Sequence, residues 1–95
     1  MRLEESVQYK RTKKKLLRKH ILSAEDIEKT LTLFQNNTSE ASLHYKKMTC
    51  KKDKNRYSIR VFNSAYRILM TVIDDVAFLV CICDHDDYDY RNKNC

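Results

Sequence analysis

Ninety-five residues are enough for one small domain with a single core. The chain is 42% hydrophobic and 34% charged, which excludes a disordered polymer, and no apolar run reaches the ~18 residues that a membrane-spanning helix needs. Its net charge of +6 is uneven: residues 1–56 carry fifteen Lys/Arg against seven Asp/Glu, and residues 57–95 carry four against six.

A basic surface of that kind attracts polyanions, of which nucleic acid is the commonest. The first stretch, MRLEESVQYKRTKKK, lacks the apolar middle of a secretory signal. We therefore expect a single cytoplasmic domain over residues 1–95, with no membrane association. In that compartment Cys50, Cys81, Cys83 and Cys95 are expected to be reduced. Cys81 and Cys83 lie two apart in an apolar run and act best as small buried hydrophobes. There is neither glycine nor proline, so the turns fall to Asn, Asp and Ser.

Residues 3–8 alternate weakly and suit a first strand. From Tyr9 to Ile21 the spacing predicts a helix with a narrow apolar stripe at Leu16, Leu17 and either Thr12 or Ile21, and with a strongly cationic outer face. Ser23 is an N-cap for a second helix, with Glu25, Asp26 and Glu28 in its first turn where the dipole favours acids. Ile27, Leu31 and Phe34 form its inner face, and Asn36 and Asn37 end it in place of glycine. The pattern then switches to alternation in LHYKKM and RYSIRVF, and to nearly continuous apolar runs in YRILMTVI and VAFLVCIC. Such runs suit central strands covered on both faces. FNSAY and Asp74-Asp75 supply tight turns. The fold class is α+β: two N-terminal helices on one face of a twisted, mainly antiparallel sheet, in β-α-α-β-β-β order.

Several motifs follow one another in the second half: Ser42-Leu43, Ser58-Ile59-Arg60-Val61, Tyr66-Arg67-Ile68, an apolar hairpin strand, and His85 followed by Tyr88 and Tyr90. In this order they resemble the RelE/ParE superfamily of bacterial toxins, and the His-x-x-Tyr-Asp form looks like its HigB branch. RelE- and HigB-type members cut messenger RNA, usually on the translating ribosome, and are neutralised by a co-expressed antitoxin. ParE-type members poison DNA gyrase instead. The resemblance implies the toxin of a type II toxin–antitoxin system that cleaves mRNA by metal-independent 2′-OH attack, without a cofactor. A gyrase inhibitor is the alternative, as is a degenerate member that only binds antitoxin or RNA. The expected partners are the antitoxin, in a hetero-oligomer, together with mRNA and the ribosome.

Metal-free RNA cleavage needs a base for the 2′-OH, an acid for the leaving 5′-oxygen and cations at the phosphate. A histidine suits both proton transfers, and His85 stands just past the last apolar strand. Arg60 sits between Ile59 and Val61 and so faces away from both. Its planar guanidinium, like that of Arg67 on the next strand, suits a scissile phosphate. The resemblance implies a catalytic role for Arg60, and a catalytic or site-holding role for Arg67. It also places a terminal tyrosine where both Tyr88 and Tyr90 fall. Lys46, Lys47, Lys51, Lys52 and Lys54 resemble the lysines of the family's RNA groove, with Tyr45 and Tyr57 interleaved to stack on bases. The run Lys10–Lys19 reads as a docking face for ribosomal RNA. Asp84, Asp86, Asp87 and Asp89 are open to three roles: raising the pKa of His85, supplying the base, or holding a divalent metal. The last is disfavoured, because a sequential run rarely converges on an ion without a glycine turn.

Overall fold

The structure, a computed structural model, describes residues 1–84. Five strands form one sheet in the order β1-β5-β4-β3-β2: β1 (Arg2–Glu5), β2 (Lys46–Lys47), β3 (Arg56–Arg60), β4 (Arg67–Ile73) and β5 (Val76–Cys83). Only β1 runs parallel to its neighbour, β5; the other pairs are antiparallel. Two helices, α1 (Val7–Arg18) and α2 (Ala24–Asn36), separate β1 from the rest. The α+β expectation holds. The two-residue β2 is one strand more than the β-α-α-β-β-β order, and it lies at the edge.

Strand periodicity sorts the apolar residues onto two faces. Ile59 and Val61, Ile68 and Met70, and Ala77, Leu79 and Ile82 share one core with Tyr9 and Leu16 of α1 and with Ile27 and Phe34 of α2. The intervening residues Leu69, Cys81 and Cys83 form a smaller cluster with Met48 on the opposite face. The change of parity along β5 comes from a bulge. Leu69 pairs with Cys81 but Met70 pairs with Leu79, so Val80 has no opposite number.

The first helix is docked at that bulge. Ser6 caps α1 by accepting the Tyr9 N–H at 3.0 Å, and its hydroxyl donates to the Val80 carbonyl at 2.9 Å. One turn on, the Thr12 hydroxyl accepts the Ile82 N–H at 3.0 Å. The helix therefore starts two residues earlier than the apolar pattern predicts, and its buried residues are Tyr9 and Leu16; Ile21 is exposed. It ends in a Schellman arrangement: the Ile21 N–H reaches the Leu16 carbonyl and the His20 N–H the Leu17 carbonyl, with His20 at φ 56°.

Ser23 caps α2 as expected, accepting the Asp26 N–H at 3.1 Å. Thr30 joins Ile27 and Phe34 as fully buried, and Leu31 packs half-buried against the same core. Its hydroxyl donates to the Asp26 carbonyl at 2.6 Å and accepts the Phe62 N–H at 3.1 Å, which ties α2 to the β3–β4 turn. With no glycine in the chain, left-handed backbone falls to His20, His44, Asn63 and Asp74. Asn, Asp and His tolerate that region best among ordinary residues. Cys81 and Cys83 are buried and outside any disulfide, as expected, whereas Cys50 is disulfide-bonded, against the expectation of a reduced chain. No helix among the described residues is long and apolar enough to cross a membrane.

Candidate nucleic-acid interface

Only part of the sheet's second face is apolar. At one end, Arg60 of β3, Arg67 of β4 and Cys83 of β5 stand in register across three neighbouring strands. Directly opposite residues share a face, so both arginines project away from the helix-side core that holds Ile59, Val61 and Ile68. Arg60 is exposed, and its Nε donates to the Ser64 carbonyl at 2.9 Å within the hairpin turn. That bond anchors the guanidinium while leaving its two outer nitrogens to face solvent or a ligand. Arg67 is half-buried beside it. Two guanidinium groups on adjacent strands set planar donors side by side, a geometry suited to a phosphate.

At the other end of the same strands the charges are matched. Asp53 accepts the Asn55 N–H at 2.9 Å, the Arg56 Nε at 3.2 Å and the Thr71 hydroxyl. Burial opposes ionisation of Asp53, but the bonds from Thr71, Asn55 and Arg56 outweigh it and hold the carboxyl below its ordinary value. The loop before β3 is thus fixed, and β2 is only two residues long because this loop takes over at Met48, whose N–H bonds the Arg56 carbonyl.

The five lysines do not form one patch. Lys46 lies opposite Ser58 and shares the face of Arg60 and Arg67. Lys47 lies opposite Tyr57 and faces the other way; with Lys54 it lines a shallow cavity of about 490 Å³. Lys51 and Lys52 are exposed in the loop between β2 and β3. Tyr45 and Tyr57 are stacked on each other, with ring centroids 5.0 Å apart and planes 13° from parallel, and Phe34 packs 5.3 Å from Tyr45. Both tyrosines are half-buried and pack against the helix-side core.

A separate basic surface lies on α1. Lys10, Lys13, Lys14 and Arg18, with Glu5 and Leu17, line a depression of about 550 Å³. It sits on the helix layer, across the sheet from the face that carries Arg60 and Arg67.

No protein-family model matches the chain, and no curated protein does. Solved structures do match. YafQ from Escherichia coli strain BL21(DE3) superposes with a TM-score of 0.72 at 18% identity, over 93% of this chain and 98% of that one. YafQ in the E. coli DinJ–YafQ toxin–antitoxin complex gives 0.72 at 20% identity, over 90% and 92%. A copper-bound mutant toxin from Helicobacter pylori gives 0.74 at 12% identity, over 92% and 97%. The chain has the RelE-like fold.

Within this RelE-like fold, the described residues bring Arg60, Arg67 and Lys46 to one end of the sheet face opposite the helices and leave Lys47 and Lys54 on another surface. The chain leaves β5 at Cys83, opposite Arg67, and Asp84 is the last described residue. His85, Tyr88, Tyr90, Asp86, Asp87 and Asp89 lie outside the described residues. Asp84 itself borders a narrow cavity of about 240 Å³ with Thr12, Lys15, Lys19 and Tyr66.

One residue beside the arginines escapes the sequence pattern. His44 lines a cavity of about 560 Å³ together with Arg60, Lys29, Asp26, Ser42, Phe62 and Asn63. In the sequence it reads as one member of an alternating strand. In the structure it closes a 3₁₀ turn (Ala41–Leu43) with φ 49° and ψ 43°. The only signal available beforehand was a histidine in a glycine-free stretch that had to turn.

Proposed function

We propose that this chain is the toxin of a type II toxin–antitoxin system and that it cuts messenger RNA on the translating ribosome, in the cytoplasm. The observation that carries the reading is the register of Arg60 with Arg67 on the sheet face opposite the helices, next to the strand end from which the chain passes to His85. The DinJ–YafQ complexes, which share the fold, support an antitoxin as partner in a hetero-oligomer.

In this reading the two guanidinium groups hold the scissile phosphate and neutralise the charge that grows on it as the ribose 2′-OH attacks. His85 transfers a proton, and Tyr88 or Tyr90 stacks on a base or assists that transfer. Lys46 extends the cationic track along the same face. Lys47, Lys51, Lys52 and Lys54 meet the backbone further out, and the Lys10–Arg18 surface docks on ribosomal RNA.

The test is cleavage in a translating extract, with mRNA 5′ ends mapped by primer extension. New ends that depend on active ribosomes, and vanish when antitoxin is added, are expected. Intact messages in the presence of folded, ribosome-bound protein would reject the nuclease. Loss of DNA supercoiling activity in a gyrase assay, with no RNA cleavage, would favour the gyrase-directed alternative. A growth arrest that survives His85→Ala would favour a member that binds without cutting.

A further inference from the structure

The cavity beside Arg60 has the chemistry of a second phosphate site. His44 is held there by its neighbours: Leu43 is fully buried, and Tyr45 is clamped between Phe34 and Tyr57. With both anchored inward, the left-handed backbone of His44 turns its imidazole outward to the cavity wall. Left-handed backbone is unfavourable for a residue with a Cβ, and such positions collect at functional sites.

The donors around the imidazole are diverse. Arg60 contributes the outer nitrogens that its bond to Ser64 leaves free. Ser42 and Asn63 add a hydroxyl and an amide. Lys29 pairs with Glu25 at 2.8 Å in an exposed ion pair, a contact that water and ligands readily replace. The charged groups facing His44 are Asp26 and Lys29 from α2 and Arg60 from β3. The acid is already engaged by the Asn63 amide at 3.4 Å, so cations outnumber acids whether or not the imidazole is charged. Phe62 is half-buried in the same wall and offers a ring to a base. An acidic helix would instead need an apolar groove, and this wall is mostly polar.

We propose that His44 and Lys29, with Arg60 bridging from the scissile phosphate, hold the phosphodiester next to the one that is cut, with Phe62 stacked on the adjoining base. The proposal rests on the nuclease reading for its biological meaning, but the site can be examined without cleavage. The probe is a deoxy dinucleoside phosphate: it lacks the 2′-OH, so it is not cut, and its phosphodiester does not titrate near neutral pH. It is added to ¹⁵N-labelled protein, and amide shifts are followed.

The amides of Ser42, His44, Phe62 and Asn63 should move together and saturate. His44→Ala should bind about fivefold more weakly, and His44→Lys should keep the binding. Both variants are checked for native spectra, and Phe62→Leu serves as an independent probe of stacking. Shifts confined to the Lys10–Arg18 surface, no saturation, or wild-type affinity in His44→Ala each overturn the proposal. So does a hexaglutamate peptide that shifts these amides when the dinucleotide does not, since the cavity would then accept acidic protein. Intact messages in the extract alongside dinucleotide binding here would remove the nuclease and leave the site.

Discussion

Arg60 and Tyr9 show how differently two polar side chains can stand toward their surroundings. Arg60 is exposed, and its truncation removes little packing, so Arg60→Ala should change stability by no more than about 0.5 kcal/mol. In the proposed nuclease it should raise the cleavage barrier by about 3 kcal/mol, on the order of a hundredfold in rate. Melting curves and ribosome-dependent cleavage of the same preparation separate the two. A collapse of melting temperature with undiminished specific activity of the folded fraction would make Arg60 structural. Tyr9 is the reverse case. Its ring is fully buried at the heart of the core, while its hydroxyl has no hydrogen-bond partner among the described residues. Burial, and then the charge of Glu5, pushes the phenol far above its ordinary value of 10.0. Tyr9→Phe should therefore be neutral or stabilising by about 1 kcal/mol in urea titrations, because the desolvated hydroxyl is removed together with its penalty. The sign with pH follows. The unfolded phenol ionises near pH 10 and the folded one does not, so wild type loses stability as pH rises beyond that point. The phenylalanine variant should lose less, and a Tyr9→Phe protein clearly less stable than wild type at neutral pH would mean that the hydroxyl is satisfied.

At the level of elements, the joints matter more than the propensities. Thr12 accepts the Ile82 N–H beside the β5 bulge, and Thr12→Val keeps the shape but strands that donor. A loss of about 1–3 kcal/mol is expected, largely restored by Thr12→Ser; a neutral Thr12→Val would show that Ile82 finds another acceptor. Asp53 joins the loop to β3 and β4 through three hydrogen bonds. Its depressed carboxyl contributes stability that is complete above the ordinary value of 3.8 and fades as pH falls through the folded value. Asp53→Asn should thus be destabilised by about 2 kcal/mol at pH 7, and the gap should close under acid. These joints are also where the sequence could not be read. Periodicity gives β4, β5 and the cap of α2 directly, because apolar spacing and a serine before an acidic turn are local signals. Thr30 in the core and the anchoring of Ser6 and Thr12 at the Val80 bulge depend on partners 32 to 74 residues away, and nothing local marks them. The candidate site divides in the same way. Arg60 and Arg67 were legible from strand alternation and their shared hairpin. His44 was not, because a histidine in an alternating stretch gives no sign that the backbone will turn left-handed there.

Among the described residues, the basic surface of α1 and the face of Arg60 and Arg67 lie on opposite sides of the sheet, and they should be separable by salt. Charge reversal at Lys10, Lys13 and Lys14 leaves the Arg60 face untouched. In the proposed ribosome-dependent toxin it should weaken ribosome association and flatten its salt dependence, each lost phosphate contact lowering the log–log slope by about 0.7–0.9. Cosedimentation over a salt series reads this directly, and an unchanged slope would assign docking to another surface. The parallel pairing of β1 with β5 bears on a different matter, the order of assembly. The β3–β4 and β4–β5 hairpins close over short stretches, whereas Ser6 reaches Val80 across 74 residues and Thr12 reaches Ile82 across 70. Closing so long a loop sacrifices chain entropy before any contact repays it, so the hairpins should be formed at the folding barrier while β1 and α1 still await their seat. The Thr12→Val protein should then refold at the wild-type rate and unfold faster, with a φ-value near zero, and stopped-flow chevrons would show the injury in the unfolding arm alone.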